Sequence, residues 1–316
     1  MPHRPTFEYP TLAGLPVGTL HDVGPGQVAV FGASEATPYD PAEASHSALA
    51  PGAIRAVSKL LAGQLKQHDF DLGATLVGDE RPIEAIGVDL ADVKTRPRDA
   101  VGNRARIAAA VSHILAAGAM PLVLGGDDSV PIPALDGFRE HGPVTVVQVD
   151  AHVDWGDTIR GEPLGYGSPM RRAAAMPWVE GMLQIGIRGL GSGESWQHDD
   201  ARAWGSRIVT SREWHRQGAE AVLATLPQGG RFVLCIDCDG LDPAMFPAVA
   251  MPTPGGLTYE DMLDLLHGLA ERGTIAGLVL AEYVPERDDA LRGSALVAAR
   301  LALTAMGLMA PAPCHP

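Results

Sequence analysis

PVTVVQVDAHVD, residues 143–154, carries the reading of this chain. Its first half is β-branched, and its length suits a strand buried on both faces of a parallel sheet. Its second half places Asp150, His152 and Asp154 two residues apart, directly after that strand. The same plan recurs twice. LVLGGDDS (122–129) ends in Asp127 and Asp128, and VLCIDCDGLD (233–242) carries Asp237, Asp239 and Asp242.

Working outward, strand-like and helix-like stretches alternate. Strands are expected at 27–31, 83–90, 121–124, 182–187, 207–209, 231–237 and 275–280. Helices are expected from near Ala53, over 103–117 with Gly118 as C-cap, over 211–226, over 258–270, and as an amphipathic closing helix over 294–309. Such alternation predicts an α/β fold, a mostly parallel sheet with helices on both faces. No linker or internal repeat interrupts it, so one domain over residues 1–316 is expected, with 1–26 as an N-terminal extension.

The composition narrows the function classes. With 24 Lys+Arg against 38 Asp+Glu the net charge is −14, which argues against a phosphate-backbone partner. A 46% hydrophobic, 20% charged chain is ordinary for a globular protein and excludes global disorder. Cys235, Cys238 and Cys314 cannot form a disulfide framework in 316 residues, and the N-terminus lacks an apolar signal core. The apolar run 107–124 is broken by Gly118 and Pro121, so no membrane span is expected. A cytoplasmic protein is the expectation.

In a parallel α/β sheet, ligands bind beyond the carboxyl ends of the strands, so the three acidic stretches can converge on one crevice. If the backbone stays extended, Asp150, His152 and Asp154 share one face, as do Asp237 and Asp239. So many carboxylates packed together repel one another unless cations neutralise them. Two divalent ions would do so. Oxygen-rich ligation with imidazole suits Mn²⁺ first, with Ni²⁺, Co²⁺ and Zn²⁺ as alternatives. A single Asp pair after a strand is more often a helix cap or turn, but three such clusters favour metal. Asp242, followed by Pro243, reads as a turn residue, and Asp127 as either ligand or support.

GGDDS, VDAHVD and IDCDGLDP, in this order, resemble the signatures of the ureohydrolase family of arginases, agmatinases and guanidinobutyrases. PGAIR (51–55), QIGIRG (184–189), PTPGGLT (252–258) and VLAEYVPERD (279–288) extend the resemblance from about residue 28 to the last helix. The resemblance implies a three-layer α/β/α domain, a binuclear manganese centre, and hydrolysis of a guanidino compound to urea and an amine by a metal-bridging hydroxide. It assigns Asp150, His152, Asp154, Asp237 and Asp239 as metal ligands, with Asp150 and Asp237 bridging, and Glu282 as the acid that meets the guanidinium. Asp154 would pass on the proton of the attacking water. Trimers or hexamers are what the family implies.

Two departures stand out. The family's first motif usually reads GGDHS, its His a ligand, and here Asp128 takes that place as a candidate ligand. In GYGSPM (165–170), Tyr166 stands where the family commonly has a His that shuttles protons or binds substrate. These changes motivate the alternative of a non-catalytic partner subunit in a hetero-oligomer with an active paralogue. The expected substrate is agmatine-like, a guanidino acid or a substituted guanidine, with no dedicated site for an α-amino acid.

Other signals are weaker. Cys235 and Cys238 flank Asp237 within a strand, unlike a redox or zinc pair. Leu241 excludes an EF-hand. GIRGLGSGES (186–195) reads as a substrate-side loop rather than a phosphate loop. His46, in the loop after the first strand, is either a substrate contact or a solvated histidine, and Trp155 either walls a pocket or fills the core.

Overall fold

The computed structural model describes residues 10–78 and 82–310. Residues 1–9, the start of the expected N-terminal extension, and Cys314 lie outside the described residues. Along the chain the strands are β1 (Val28–Ala33), β2 (His68–Asp69), β3 (Ala74–Thr75), β4 (Gly87–Asp92), β5 (Met120–Gly125), β6 (Val144–Val149), β7 (Val179–Ile187), β8 (Arg207–Thr210), β9 (Gly230–Asp237) and β10 (Gly273–Ala281). The α-helices are α1 (Ala50–Ser58), α2 (Ala100–Ala116), α3 (Pro131–Asp136), α4 (Pro169–Ala174), α5 (Ser195–Trp204), α6 (Ser211–Gln217), α7 (Ala219–Leu223), α8 (Tyr259–Arg272) and α9 (Gly293–Met309).

Eight strands form one sheet in the order β4-β1-β5-β10-β9-β6-β7-β8, and every pairing is parallel. β2 and β3 make a separate antiparallel hairpin. Alternate side chains of the strands enter opposite cores. Val28, Val30, Leu122, Leu124, Val147, Val149, Leu234 and Ile236 pack with α1, α8 and α9. Ala29, Phe31, Val123, Val146, Val233 and Cys235 pack with α2, α3 and α4. The architecture is the expected three-layer α/β/α sandwich, and burial on both faces explains the uninterrupted apolar strands. Cys235 and Cys238 fall in different cores, so the C-x-x-C spacing pairs nothing.

Four expectations are revised. Residues 83–85 form a 3₁₀ turn before β4 rather than part of the strand. Residues 211–226 divide into α6 and α7 at Gly218, whose φ of 79° no helix accepts. The closing helix is not amphipathic: every residue from Leu301 to Gly307 is buried, because α9 is covered by α1, α8 and the sheet. Strand alternation also stops early, since β6 ends at Val149 and a 3₁₀ turn (Cys238–Gly240) follows β9. Only Asp237 still lies on extended backbone, at the end of β9; the other acids reach the cluster from turns and loops.

Candidate metal centre

The central strands β5, β10, β9 and β6 are neighbours, and each delivers acids at its carboxyl end. β5 leads to Asp127 and Asp128, β10 to Glu282, β9 to Asp237 and Asp239, and β6 to Asp150, His152 and Asp154. Close backbone approach makes this possible. A Cβ on Gly126 would sit 1.7 Å from the Ser34 carbonyl, and one on Gly240 would sit 2.6 Å from the Asp150 amide.

Two groups of side chains are able to hold a metal ion: Asp150, His152 and Asp239, and Asp128, Asp150 and Asp154. Within each group the donor atoms lie within 4.8 Å of one another, and Asp150 belongs to both. Asp237 belongs to neither; its Oδ1 accepts the Asp239 amide at 2.7 Å. All five aspartates are buried. His152 Nδ1 lies 3.2 Å from both Asp150 Oδ1 and Asp239 Oδ2. No Lys or Arg among the described residues forms an ion pair with these acids.

The electrostatics follow. Burial first, then the charges of neighbouring carboxylates, hold Asp128, Asp150 and Asp237 well above the ordinary carboxylate range. Burial opposes a charge on His152, but the hydrogen bond and charge of Asp239, with Asp154 and Asp237, outweigh it and push its pKa to about 9. Asp128 Oδ2 is buried with no hydrogen-bond partner. An orphaned carboxylate oxygen inside a crowd of acids is what a divalent cation would satisfy, and the oxygen-rich donor set fits a hard or borderline ion.

Above the acids lies a cavity of about 470 Å³, lined by His46, Trp155, Tyr166, Met251, Glu282 and the 191–194 loop among others. Glu282 has a left-handed φ of 65°, and Asp154 one of 46°. Non-glycine residues held so are strained and concentrate at functional sites. Glu282 Oε1 accepts the Asp128 amide at 2.9 Å, and Oε2 meets His46 Nε2 at 2.5 Å. Burial opposes a charge on His46, yet its hydrogen bond to Glu282 and the Glu282 charge raise its pKa. The Tyr166 ring lies edge-on to His46 at 5.5 Å and against Tyr39 at 4.2 Å, and burial raises its phenol.

The remaining candidates separate. Asp242 accepts the amides of Ala244, Gly255 and Gly256, the turn role expected of it. Asp127 Oδ1 accepts from Ser129, whose hydroxyl in turn accepts the amides of Ala36 and Thr37 in the loop after β1. Trp155 is both buried and at the cavity wall, with Nε1 donating to Asp200 at 2.7 Å. Arg188, in the QIGIRG motif, has a role that sequence reading missed. Its guanidinium donates to the carbonyls of Asp239, Gly240, Leu241 and Thr253, tying down the loop after β9. Gln148 was missed as well; it donates to Asp150 and Asp154.

A sequence profile described as the arginase family matches residues 27–307. The chain is 34% identical over 233 residues to human mitochondrial guanidino acid hydrolase, covering 70% of this chain and 64% of that one. It is 31% identical over 247 residues to the guanidinobutyrase of Pseudomonas aeruginosa, covering 75% of this chain and 73% of that one. Among solved structures, the proclavaminate amidino hydrolase of Streptomyces clavuligerus superposes with a TM-score of 0.77 at 26% identity, covering 96% of this chain and 98% of that one. The chain thus spans slightly less than two thirds of the human relative's length. Family profile, relatives and geometry agree: this chain belongs to the arginase family.

Proposed function

We propose that the protein is a metal-dependent amidinohydrolase, acting on a C–N bond of a linear amidine. It would convert a guanidino compound to urea and an amine. The observation that carries this reading is the gathering of Asp128, Asp150, His152, Asp154, Asp237 and Asp239 under a cavity that Glu282 faces, with no Lys or Arg paired to them among the described residues. The names of the relatives, guanidino acid hydrolase and guanidinobutyrase, support the substrate class.

In this reading those six residues hold two divalent ions, Mn²⁺ before Ni²⁺, with Asp150 common to both candidate groups. Bound there, the ions would supply water acidified toward neutrality. Glu282 would hold the planar guanidinium through charge-assisted hydrogen bonds. His46 shares Glu282 Oε2 and helps to set its orientation. Tyr166, a neutral phenol, offers a hydrogen-bond donor at the cavity wall. Hydrolysis leaves the departing nitrogen in need of a proton, and Asp154, at the wall of the cavity, would pass on the one released by the attacking water.

The non-catalytic partner subunit is not favoured, since the replacement residue Asp128 takes its place in a complete donor group. No helix among the described residues is long and apolar enough to cross a membrane. A cytoplasmic homo-oligomer, trimer or hexamer, completes the proposal. The test is urea release across agmatine, guanidino acids and alkylguanidines with Mn²⁺ or Ni²⁺ supplied. Release from one of these classes is expected, and no release from any of them by metal-loaded protein overturns the reading.

A further inference from the structure

Beneath the acid cluster lie three uncharged polar side chains, Gln148, Gln184 and Ser206, exposed by only 1%, 0% and 5%. Gln148 on β6 and Gln184 on β7 are register partners across the two strands, and Ser206 immediately precedes β8. Their hydrogen bonds run in one direction. Ser206 Oγ donates to Gln184 Oε1 at 2.7 Å, and Gln184 Nε2 donates to Gln148 Oε1 at 2.7 Å. Gln148 Nε2 then donates to Asp150 Oδ2 at 2.6 Å and Asp154 Oδ2 at 3.0 Å. The second Gln184 N–H goes to the Val153 carbonyl at 2.8 Å. Both amides therefore use both N–H groups, and turning either one round would set oxygen against oxygen.

We propose that Ser206, Gln184 and Gln148 form a positioning relay that fixes Asp150 and Asp154 for cation binding. This role rests on the metal centre proposed above. Three features of the relay support it. First, its donors are dipoles rather than charges, so they orient two carboxylates without neutralising them and leave the negative charge for an ion. Second, the relay reaches Asp154 from two sides, at its own carboxylate and at the carbonyl before it, and so steadies a residue held at a φ of 46°. Third, a carboxylate oxygen has two lone-pair directions, so Asp150 Oδ2 and Asp154 Oδ2 each keep one beside the Gln148 bond. Buried, fully satisfied chains of this kind are stiff, and the outer partners of metal ligands commonly set affinity.

The test is calorimetric titration of metal-stripped protein with Mn²⁺, comparing wild type with Gln148→Met and Ser206→Ala. Gln148→Met keeps the side-chain length and removes both donors. It is expected to weaken Mn²⁺ binding about 10- to 100-fold at unchanged secondary structure. Activity lost at low Mn²⁺ should return at saturating Mn²⁺ with substrate KM unchanged, which a general packing defect would not produce. Ser206→Ala removes one hydroxyl at the far end and should give a smaller loss in the same direction; it carries the test if Gln148→Met fails to fold. Wild-type affinity in both variants overturns the relay while leaving the metal centre intact. Wild-type protein that takes up no divalent ion overturns the metal centre, and the relay with it.

Discussion

Two acid clusters are built on the same sheet, and the chain treats them in opposite ways. At the β4–β1 end, Arg55 from α1 grips Asp89 with Nε at 2.9 Å and Nη2 at 3.0 Å, and reaches Asp92 with Nη1 at 2.5 Å. The amides of Leu12 and Ala91 also donate to Asp89. At the centre, Asp128, Asp150, Asp154, Asp237 and Asp239 are all buried, yet among the described residues only the His152 imidazole pairs with them, and no guanidinium or ammonium does. Arg188 lies beside that loop but donates to backbone carbonyls instead. A buried carboxylate needs a positive partner. Where the chain supplies a guanidinium, the cluster is structural; where it gathers five acids around one imidazole, negative charge is left over for a cation.

The contrast breaks most visibly at Asp150. Asp150→Asn should abolish urea release and lower bound metal, because this residue belongs to both candidate ligand groups; full turnover with full metal content would sink the assignment. Arg55→Leu should do the reverse. It strands the buried Asp89 charge and should cost about 3–5 kcal/mol of stability in urea unfolding, while metal bound per folded chain stays unchanged. Loss of metal in that variant would mean that the two clusters are not independent.

The difference between the clusters was partly legible in the sequence. Asp150, His152, Asp237 and Asp239 could be placed together because each follows an apolar strand, and the carboxyl ends of parallel strands meet at one edge. PGAIR is visible in the sequence, but nothing local tells Arg55 to face Asp89, since that pairing is set by how α1 lies across the sheet. Period-two reasoning failed at Asp154, where the backbone has already left the strand and turned left-handed. Gln184 opens QIGIRG and Gln148 lies in the strand before VDAHVD, but neither stretch tells that the two amides meet. Only the β6–β7 register, a tertiary fact, brings them opposite one another.

Ion binding sharpens the comparison thermodynamically. Mn²⁺ supplied at about 100 times its Kd should stabilise the fold by about 2.7 kcal/mol, read as a rise in Tm that chelation reverses. No rise would contradict the central cluster's being the ion site. The pH dependence has a definite sign. Burial, then neighbouring carboxylates, raise Asp128, Asp150 and Asp237 above the ordinary value of 3.8. Raised groups keep protons that the unfolded chain has lost, so they favour the metal-free fold at low pH, and this contribution fades as pH climbs through their folded pKa values. An entering cation must expel those protons. Mn²⁺ affinity should therefore increase with pH, with proton release visible when titrations are compared in buffers of different ionisation enthalpy. A pH-independent affinity without proton release would contradict this account.

The smallest expected effect separates burial from charge within the Arg55 cluster itself. Asp92 offers its carboxylate to the same guanidinium as Asp89, but its side chain is 47% exposed against 1% for Asp89. Water can replace what Asp92 gives to Arg55, and an exposed ion pair is worth about 0–1 kcal/mol. Asp92→Asn should thus shift the urea midpoint only slightly, whereas Asp89→Asn leaves the guanidinium buried against a neutral amide and should cost several times more. Equal losses from the two variants would show that the guanidinium, not the depth of its partner, sets the energy of that cluster. Charge count would then be enough to explain both clusters, and burial would not be needed.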